Sequence, residues 1–343
     1  METETQKLSA LIENSQRIII TSHTSPDPDA VASLILTGTG LQINYPNKQI
    51  EMVLEEEPSG LDFLTQFNQI KFQPLVKALD RIAPDLLIIV DANAYKRVSR
   101  MDDDAIRQYI REKSVRTAII DHHEPEGRDE TDVYINSHNI AAVQEVYEVL
   151  FDQLELKKPD NYAQVTMLGL YADSGGFAYA GPRHKETMQL AAKLVEAGVN
   201  IEEIKNKINQ FTDEQMKVIS ELTRNVTNGG EYTYTFLSDA FVDGWQQDGQ
   251  TMAALHGATK PFVDSYIRNV GGRQWGFLVY RDSLDGQNMY SVSLRSVGGI
   301  KDVSVIARRL DDGGGHKPAA GGRVRAESVR EAIKKVKSAI LEP

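Results

Sequence analysis

Acidic and histidine residues recur at four places along the chain, each just after an apolar run. They are His23-Thr24-Ser25-Pro26-Asp27-Pro28-Asp29, Asp91, Asp121-His122-His123 and Asp173-Ser174-Gly175. Carboxylate oxygens and imidazole nitrogens without sulfur form the donor set of a hard-to-borderline divalent ion such as manganese or magnesium. In the first group the HxxxDxD spacing lets three ligands face one point, with Pro26 and Pro28 stiffening the turn. Adjacent His122 and His123 point in different directions, so one can take a metal while the other meets substrate. Asp91 alone would read as a helix cap or turn residue, but beside the other three groups it reads as a ligand. Gathered in one crevice, these groups would repel one another unless cations were bound among them.

Three of the four groups follow strand-like stretches, at residues 17–20, 86–90 and 117–120. In an open α/β sheet, side chains at the carboxyl ends of neighbouring strands converge on one crevice. Residues 49–54 read as a further strand, and residues 30–41 as a helix opening directly after the first group. Residues 139–154 and 161–171 carry helical spacing of apolar residues. The alternation predicts an α/β domain, a mostly parallel sheet with helices on both faces. From Glu186 the pattern is helical as far as Leu222, and it stops at Asn228-Gly229-Gly230. Strands are expected beyond that break at 232–237, 265–270, 275–280 and 290–294, and helices at 302–310 and 327–340. This describes a smaller α+β domain. The division is placed at 1–211 for the first domain, 212–228 for a helical linker and 229–343 for the second.

With 343 residues, 41% hydrophobic and 25% charged, the composition suits a globular protein of two domains. The absence of cysteine removes disulfides, thiolate metal sites and cysteine nucleophiles together. No apolar stretch reaches a membrane span, and the first residues lack a signal-peptide pattern, so a cytoplasmic address and no membrane partner are expected. Thirty-eight basic residues against 49 acidic ones give a net charge of −11. That balance argues against salt-driven binding along a long duplex, yet allows a small anion held by metals and a few local cations. Gly38-Thr39-Gly40 lacks the lysine and hydroxyl residue of a phosphate-binding P-loop. Nothing in the sequence opposes a homodimer.

In their order these motifs resemble the DHH phosphoesterase superfamily, whose name is the Asp-His-His of residues 121–123. Gly313-Gly314-Gly315-His316 stands where that family's C-terminal DHHA1 domain carries its GGGH signature. The resemblance covers nearly the whole chain. It implies two Mn2+ ions, with Mg2+ or Co2+ as substitutes, about 3.5–4 Å apart. By family position His23 and Asp27 would hold the first ion, Asp29, His122 and Asp173 the second, and Asp91 would bridge them. Asp91, His122 and His123 are the implied catalytic residues, with His123 contacting phosphoryl oxygens or assisting the leaving group. Asp173-Ser174-Gly175 departs from the commoner Asp-Thr-Gly, and residues 141–145 lack the hydroxyl residues that relatives often carry there.

In the second domain the glycine run, with His316, Lys317 and Gly321-Gly322, reads as a small cationic lip that lets main-chain N–H groups approach a phosphate. Arg295, in Ser293-Leu294-Arg295-Ser296, matches a phosphate-gripping arginine of the family. The implied substrate-binding set is His123, Arg295, Ser296, Gly313, Gly314, Gly315 and His316, with the substrate lying between the domains. Three activities compete within the superfamily. Pyrophosphatase or exopolyphosphatase activity is disfavoured by the lack of an Arg-Lys-Lys cluster. RecJ-like exonuclease activity is disfavoured by the chain's length and charge. The compact DHH–DHHA1 pattern is most similar to the nanoRNase and pAp-phosphatase group. The expectation is therefore metal-dependent hydrolysis of short nucleotides: oligoribonucleotides, pApA, pAp or cyclic di-AMP. A silent nucleotide-binding regulator would need a broken ligand set, and this set is intact.

Overall fold

The computed structural model describes residues 3–58, 60–99, 102–124, 127–179, 181–208, 210–248, 252–282 and 288–341. It divides into two compact units, Met1–Gln210 and Phe211–Pro343.

The first unit begins α1 (Glu4–Asn14), β1 (Arg17–Thr21), α2 (Pro28–Asn44), β2 (Gln49–Leu54), β3 (Ile70–Phe72) and α3 (Leu75–Ile82). It continues with β4 (Leu86–Val90), α4 (Tyr95–Val98), α5 (Asp103–Lys113), β5 (Arg116–Ile120) and β6 (Val133–Ile135). Helices α6 (Ala142–Tyr147), α7 (Tyr162–Asp173), α8 (His184–Glu196) and α9 (Ile201–Ile208) complete it. The six strands are all parallel, in the order β3-β2-β1-β4-β5-β6. Parallel strands covered on both faces must be apolar throughout, and Leu86-Leu87-Ile88-Ile89-Val90 is wholly buried. Ile18, Ile20, Ile88 and Val90 pack on one face with Val31 and Leu34 of α2, Val143 of α6 and Val165 of α7. Ile19, Leu87 and Ile89 pack on the other with Leu75, Leu79 and Ile106. The strand order reverses between β1 and β4, and ligands of doubly wound sheets bind at such a point, outside the carboxyl ends of the strands.

The second unit contains α10 (Asp213–Arg224), β7 (Thr227–Asn228), β8 (Thr233–Phe236), α11 (Asp239–Gln247) and α12 (Met252–Phe262). It ends with β9 (Trp275–Arg281), β10 (Met289–Ser296), α13 (Val303–Ala307), β11 (Asp311–His316), β12 (Ala319–Arg325) and α14 (Val329–Leu341). Its sheet runs β11-β12-β10-β9-β8-β7 and is antiparallel except for the parallel pair β8–β9.

Three expectations are corrected here. The segment taken as a linker is α10, whose Val218 and Leu222 are buried with Leu237, Val242 and Leu255, so it belongs to the second unit's core. Residues 265–270 are not a strand, because α12 runs through Pro261 into a π turn, Val263–Ile267. Pro261 brings no N–H to the helical ladder, and the wider turn carries the chain past it instead of ending the helix. Gly313-Gly314-Gly315 is not a loop but part of β11, where Gly314 and Gly315 pair with Gly321 and Ala320 of β12 and Gly313 lies at a register irregularity. Among the described residues no helix is long and apolar enough to cross a membrane.

Candidate metal centre

Each cluster leaves an element at the same edge of the first unit. His23 follows β1, and Asp27 caps α2, its Oδ1 accepting the N–H groups of Asp29 (3.1 Å) and Ala30 (3.2 Å). Pro28 occupies the first helical turn, where its missing N–H has no ladder partner to lose. Asp91 follows β4 in a left-handed conformation, φ 55°. A non-glycine residue there costs of order 1–3 kcal/mol and persists where the surroundings fix it. Its N–H is tied to the Ile120 carbonyl at 3.0 Å. Asp121, His122 and His123 follow β5, and Asp173 closes α7.

The side chains meet around Asp91, which is buried. Its Oδ2 lies 3.4 Å from His23 Nε2, and its Oδ1 lies 3.4 Å from His122 Nε2. His23 Nε2 is 4.0 Å from Asp27 Oδ1, and His122 Nε2 is 3.5 Å from Asp173 Oδ2. Three groups, each with one ligand atom per residue within 4.8 Å of the others, follow: His23, Asp27 and Asp91; Asp29, His122 and Asp173; Asp91, His122 and His123. Asp29 is fully buried, its carboxylate accepting the N–H groups of Ala142 (2.6 Å) and Val143 (3.0 Å) at the start of α6.

The electrostatics describe groups waiting for positive charge. Burial and the neighbouring Asp91 and Asp27 carboxylates push Asp29 well above the usual carboxylate range. Burial, Asp29 and Asp27 do the same to Asp173. At Asp91 burial opposes ionisation, but the His122 and His23 imidazoles outweigh it and hold the carboxyl low. Burial likewise opposes charge on His122 and His23, and Asp91 overcomes it to raise both. The chain alone must spread a few protons over this cluster. Asp91 Oδ1 and His122 Nε2 are moreover buried without a hydrogen-bond partner. Buried polar atoms rarely remain so, and two facing donor atoms of this kind fit a cation.

Several supporting residues escaped the sequence reading. Arg97 of α4 brings Nη2 within 3.3 Å of His123 Nε2, and Asp121 Oδ1 lies 2.8 Å from His123 Nδ1. A guanidinium can only donate, so His123 Nε2 accepts and Nδ1 carries the proton given to Asp121. Asn136 Nδ2 donates to the His123 carbonyl at 2.6 Å. Buried Glu145 in turn accepts the N–H groups of Ser137 and Asn139, fixing that loop. The signals available were an arginine six positions after Asp91 and an acidic residue inside a helix otherwise buried.

Comparison with known proteins gives the family. Residues 17–170 match the DHH family, N-terminal domain, and residues 257–342 match the DHHA1 domain. The chain is a two-domain DHH–DHHA1 protein. It is similar to the bifunctional oligoribonuclease and PAP phosphatase NrnA of Mycoplasma pneumoniae, 24% identical over 92% of this chain and 90% of that protein. The Bacillus subtilis protein of the same name is 24% identical over 94% of this chain and 93% of its own length. Among solved structures, an exopolyphosphatase-related protein from Bacteroides fragilis superposes with a TM-score of 0.81 at 20% identity, covering 98% of this chain and 95% of that one. This last likeness is one of fold.

In the DHHA1 unit, Arg295 on β10 and His316 on β11 both stand opposite Ala319 of β12, so they share a sheet face. Arg295 is ion-paired with Asp264. Ser293 and Ser291, two and four positions back on that face, line a depression of about 400 Å3 with Tyr280 and Arg323. Gly313, Gly314 and Gly315 form the edge strand beside it. Ser296, expected with Arg295 as a substrate contact, is buried, and its hydroxyl accepts the Lys301 N–H at 3.0 Å.

Proposed function

We propose that the chain is a manganese-dependent phosphoesterase that hydrolyses short nucleotides, such as oligoribonucleotides of a few residues, pApA or pAp, releasing mononucleotides. The observation that carries this reading is Asp91, whose two oxygens face two histidine-bearing ligand groups while the buried Oδ1 has no hydrogen-bond partner. His23 and Asp27 would hold one divalent ion, Asp29, His122 and Asp173 a second, with Asp91 shared. When bound, such ions supply Lewis acidity toward phosphoryl oxygens and a water nucleophilic at neutral pH. The chain's own residues do the rest. Asp121 holds the His123 proton at Nδ1, so Nε2 is the atom that would take up the proton released by the attacking water and hand it to the leaving-group oxygen, while Arg97 beside it would grip phosphoryl oxygens. On the second unit, Arg295, His316 and the glycine edge strand carry donors of the kind that bind phosphate oxygens, and we assign them to substrate binding.

Support for the short-nucleotide choice comes from the names of the relatives and from the chain's net charge of −11, which suits a small ligand better than a long strand. The test is one panel with Mn2+: pyrophosphate, pAp, dinucleotides, cyclic di-AMP and a long single strand, for wild type and Asp91→Ala. Preferred turnover of pAp or dinucleotides, lost in Asp91→Ala, is expected. Preference for pyrophosphate or the long strand, or unchanged turnover in the variant, would overturn the proposal.

A further inference from the structure

The segment after Asp173 is a rigid turn that displays an aromatic ring. Ser174 is buried, and its hydroxyl accepts the Phe177 N–H at 2.8 Å. Gly175, Gly176 and Phe177 all have positive φ, 59°, 67° and 68°. The Ser174 carbonyl accepts the Tyr179 N–H at 2.9 Å, closing the turn. Tyr171 stands behind it, edge-on to Phe177 with ring centroids 5.9 Å apart.

Tyr179 lies on Gly175. A Cβ at that glycine would fall 2.5 Å from ring atoms Cε2 and Cζ, so only glycine lets the ring rest against the backbone there. Tyr179 still keeps 43% of its surface exposed. A half-exposed aromatic is ordinary on a surface, but this one is held by an ordered turn at a fixed place. Gly175 is two residues from Asp173, so their Cα atoms are at most about 7.6 Å apart, and the Asp173 carboxylate is in the metal cluster. A ring fixed within a nucleotide's length of a phosphoester-cleaving centre offers a π-face to whatever adjoins the phosphate.

We propose that Tyr179 is a base-stacking platform, making the nucleoside next to the scissile phosphate part of what this site recognises. The inference rests on the nucleotide-hydrolase reading and deepens it. Stacking of a base on an aromatic side chain is worth about 1–3 kcal/mol and tolerates any base. The platform would therefore favour nucleotides over base-free phosphoesters without choosing among bases.

The test compares the dinucleotide pApA with an analogue in which one nucleoside is abasic, using wild type, Tyr179→Ala and Tyr179→Phe. Tyr179→Ala should raise KM for pApA about 5- to 150-fold, the range that the stacking energy implies, with little change in kcat. Its KM for the analogue abasic at the stacked position should stay at the wild-type value, and Tyr179→Phe should rescue the defect. An unchanged KM for pApA, or an equal rise for both substrates, overturns the proposal, the second outcome marking a merely structural role. Quenching of Tyr179→Trp fluorescence by pAp reports stacking independently of turnover. Quenching without hydrolysis by wild type would keep the platform and reject the hydrolase reading. Absence of quenching would reject the platform alone.

Discussion

Gly169 offers a way to disturb the metal centre without removing a ligand. It lies in α7 where that helix meets Asp29 and α6, and a Cβ there would fall 2.6 Å from Asp29 Oδ1 and 2.8 Å from Val143 Cγ1. To restore ordinary contact at 3.4 Å the carboxylate would have to retreat by about 0.8 Å. Val143 is β-branched and stiff, so it yields little. A shift of that size breaks at least one of the two N–H bonds from Ala142 and Val143, worth about 1.5–3 kcal/mol for a charged acceptor. Alanine returns about 0.5–1 kcal/mol through helix propensity. Gly169→Ala should therefore cost about 1–2 kcal/mol, or about 2–4 °C of melting temperature per kcal/mol for a unit of this size. Displacing a ligand's support costs about 10–100-fold in metal affinity. Calorimetric titration with Mn2+ beside thermal unfolding reads both quantities. Wild-type affinity with a raised melting temperature would mean that propensity alone acts, and would refute the argument.

The raised groups set a pH dependence. Asp29, Asp173, His23 and His122 hold their protons more tightly folded than unfolded. Each contributes stability below its unfolded value, about 4 for the carboxyls and about 6.5 for the imidazoles, and loses it as pH rises through the higher folded value. Asp91 is held low, so its contribution is present above about pH 4 and is lost on further acidification. As pH rises above about 6.5 the metal-free protein should lose stability, and the rise in melting temperature with Mn2+ should grow; a pH-independent rise would contradict this. In the second unit, Arg295→Ala should raise KM with little change in kcat. Asp264→Asn should lower KM by releasing the guanidinium from its ion pair. Steady-state kinetics on pApA checks both, and an unchanged KM in the two variants would remove Arg295 from substrate binding.

Strong apolar runs made the first sheet legible: β1, β4 and β5 stand where the Ile- and Leu-rich stretches place them, and their C-terminal ends carry three of the four clusters, the fourth closing α7. The three-residue strands β3 and β6 escaped, being too short to show a period. In the second unit, Ser265-Tyr266-Ile267 carries strand-like residues but lies in or beside a π turn, where packing of Val263 and Ile267 overrides local preference. The clustered residues could be named from type and spacing, and their division into two proposed ligand sets from the resemblance to the family. The donors from α6 to Asp29 could not, because backbone amides leave no mark in a sequence. Nor could the contact of Arg97 with His123, which depends on how the loops after β4 and β5 meet.

The central claim is that these four clusters form one centre for two ions bridged by Asp91. Anomalous diffraction at the manganese edge from crystals grown with Mn2+ tests it directly. Two peaks are predicted, one among His23, Asp27 and Asp91, the other among Asp29, Asp91, His122 and Asp173. A single peak, or peaks away from Asp91, would contradict the account.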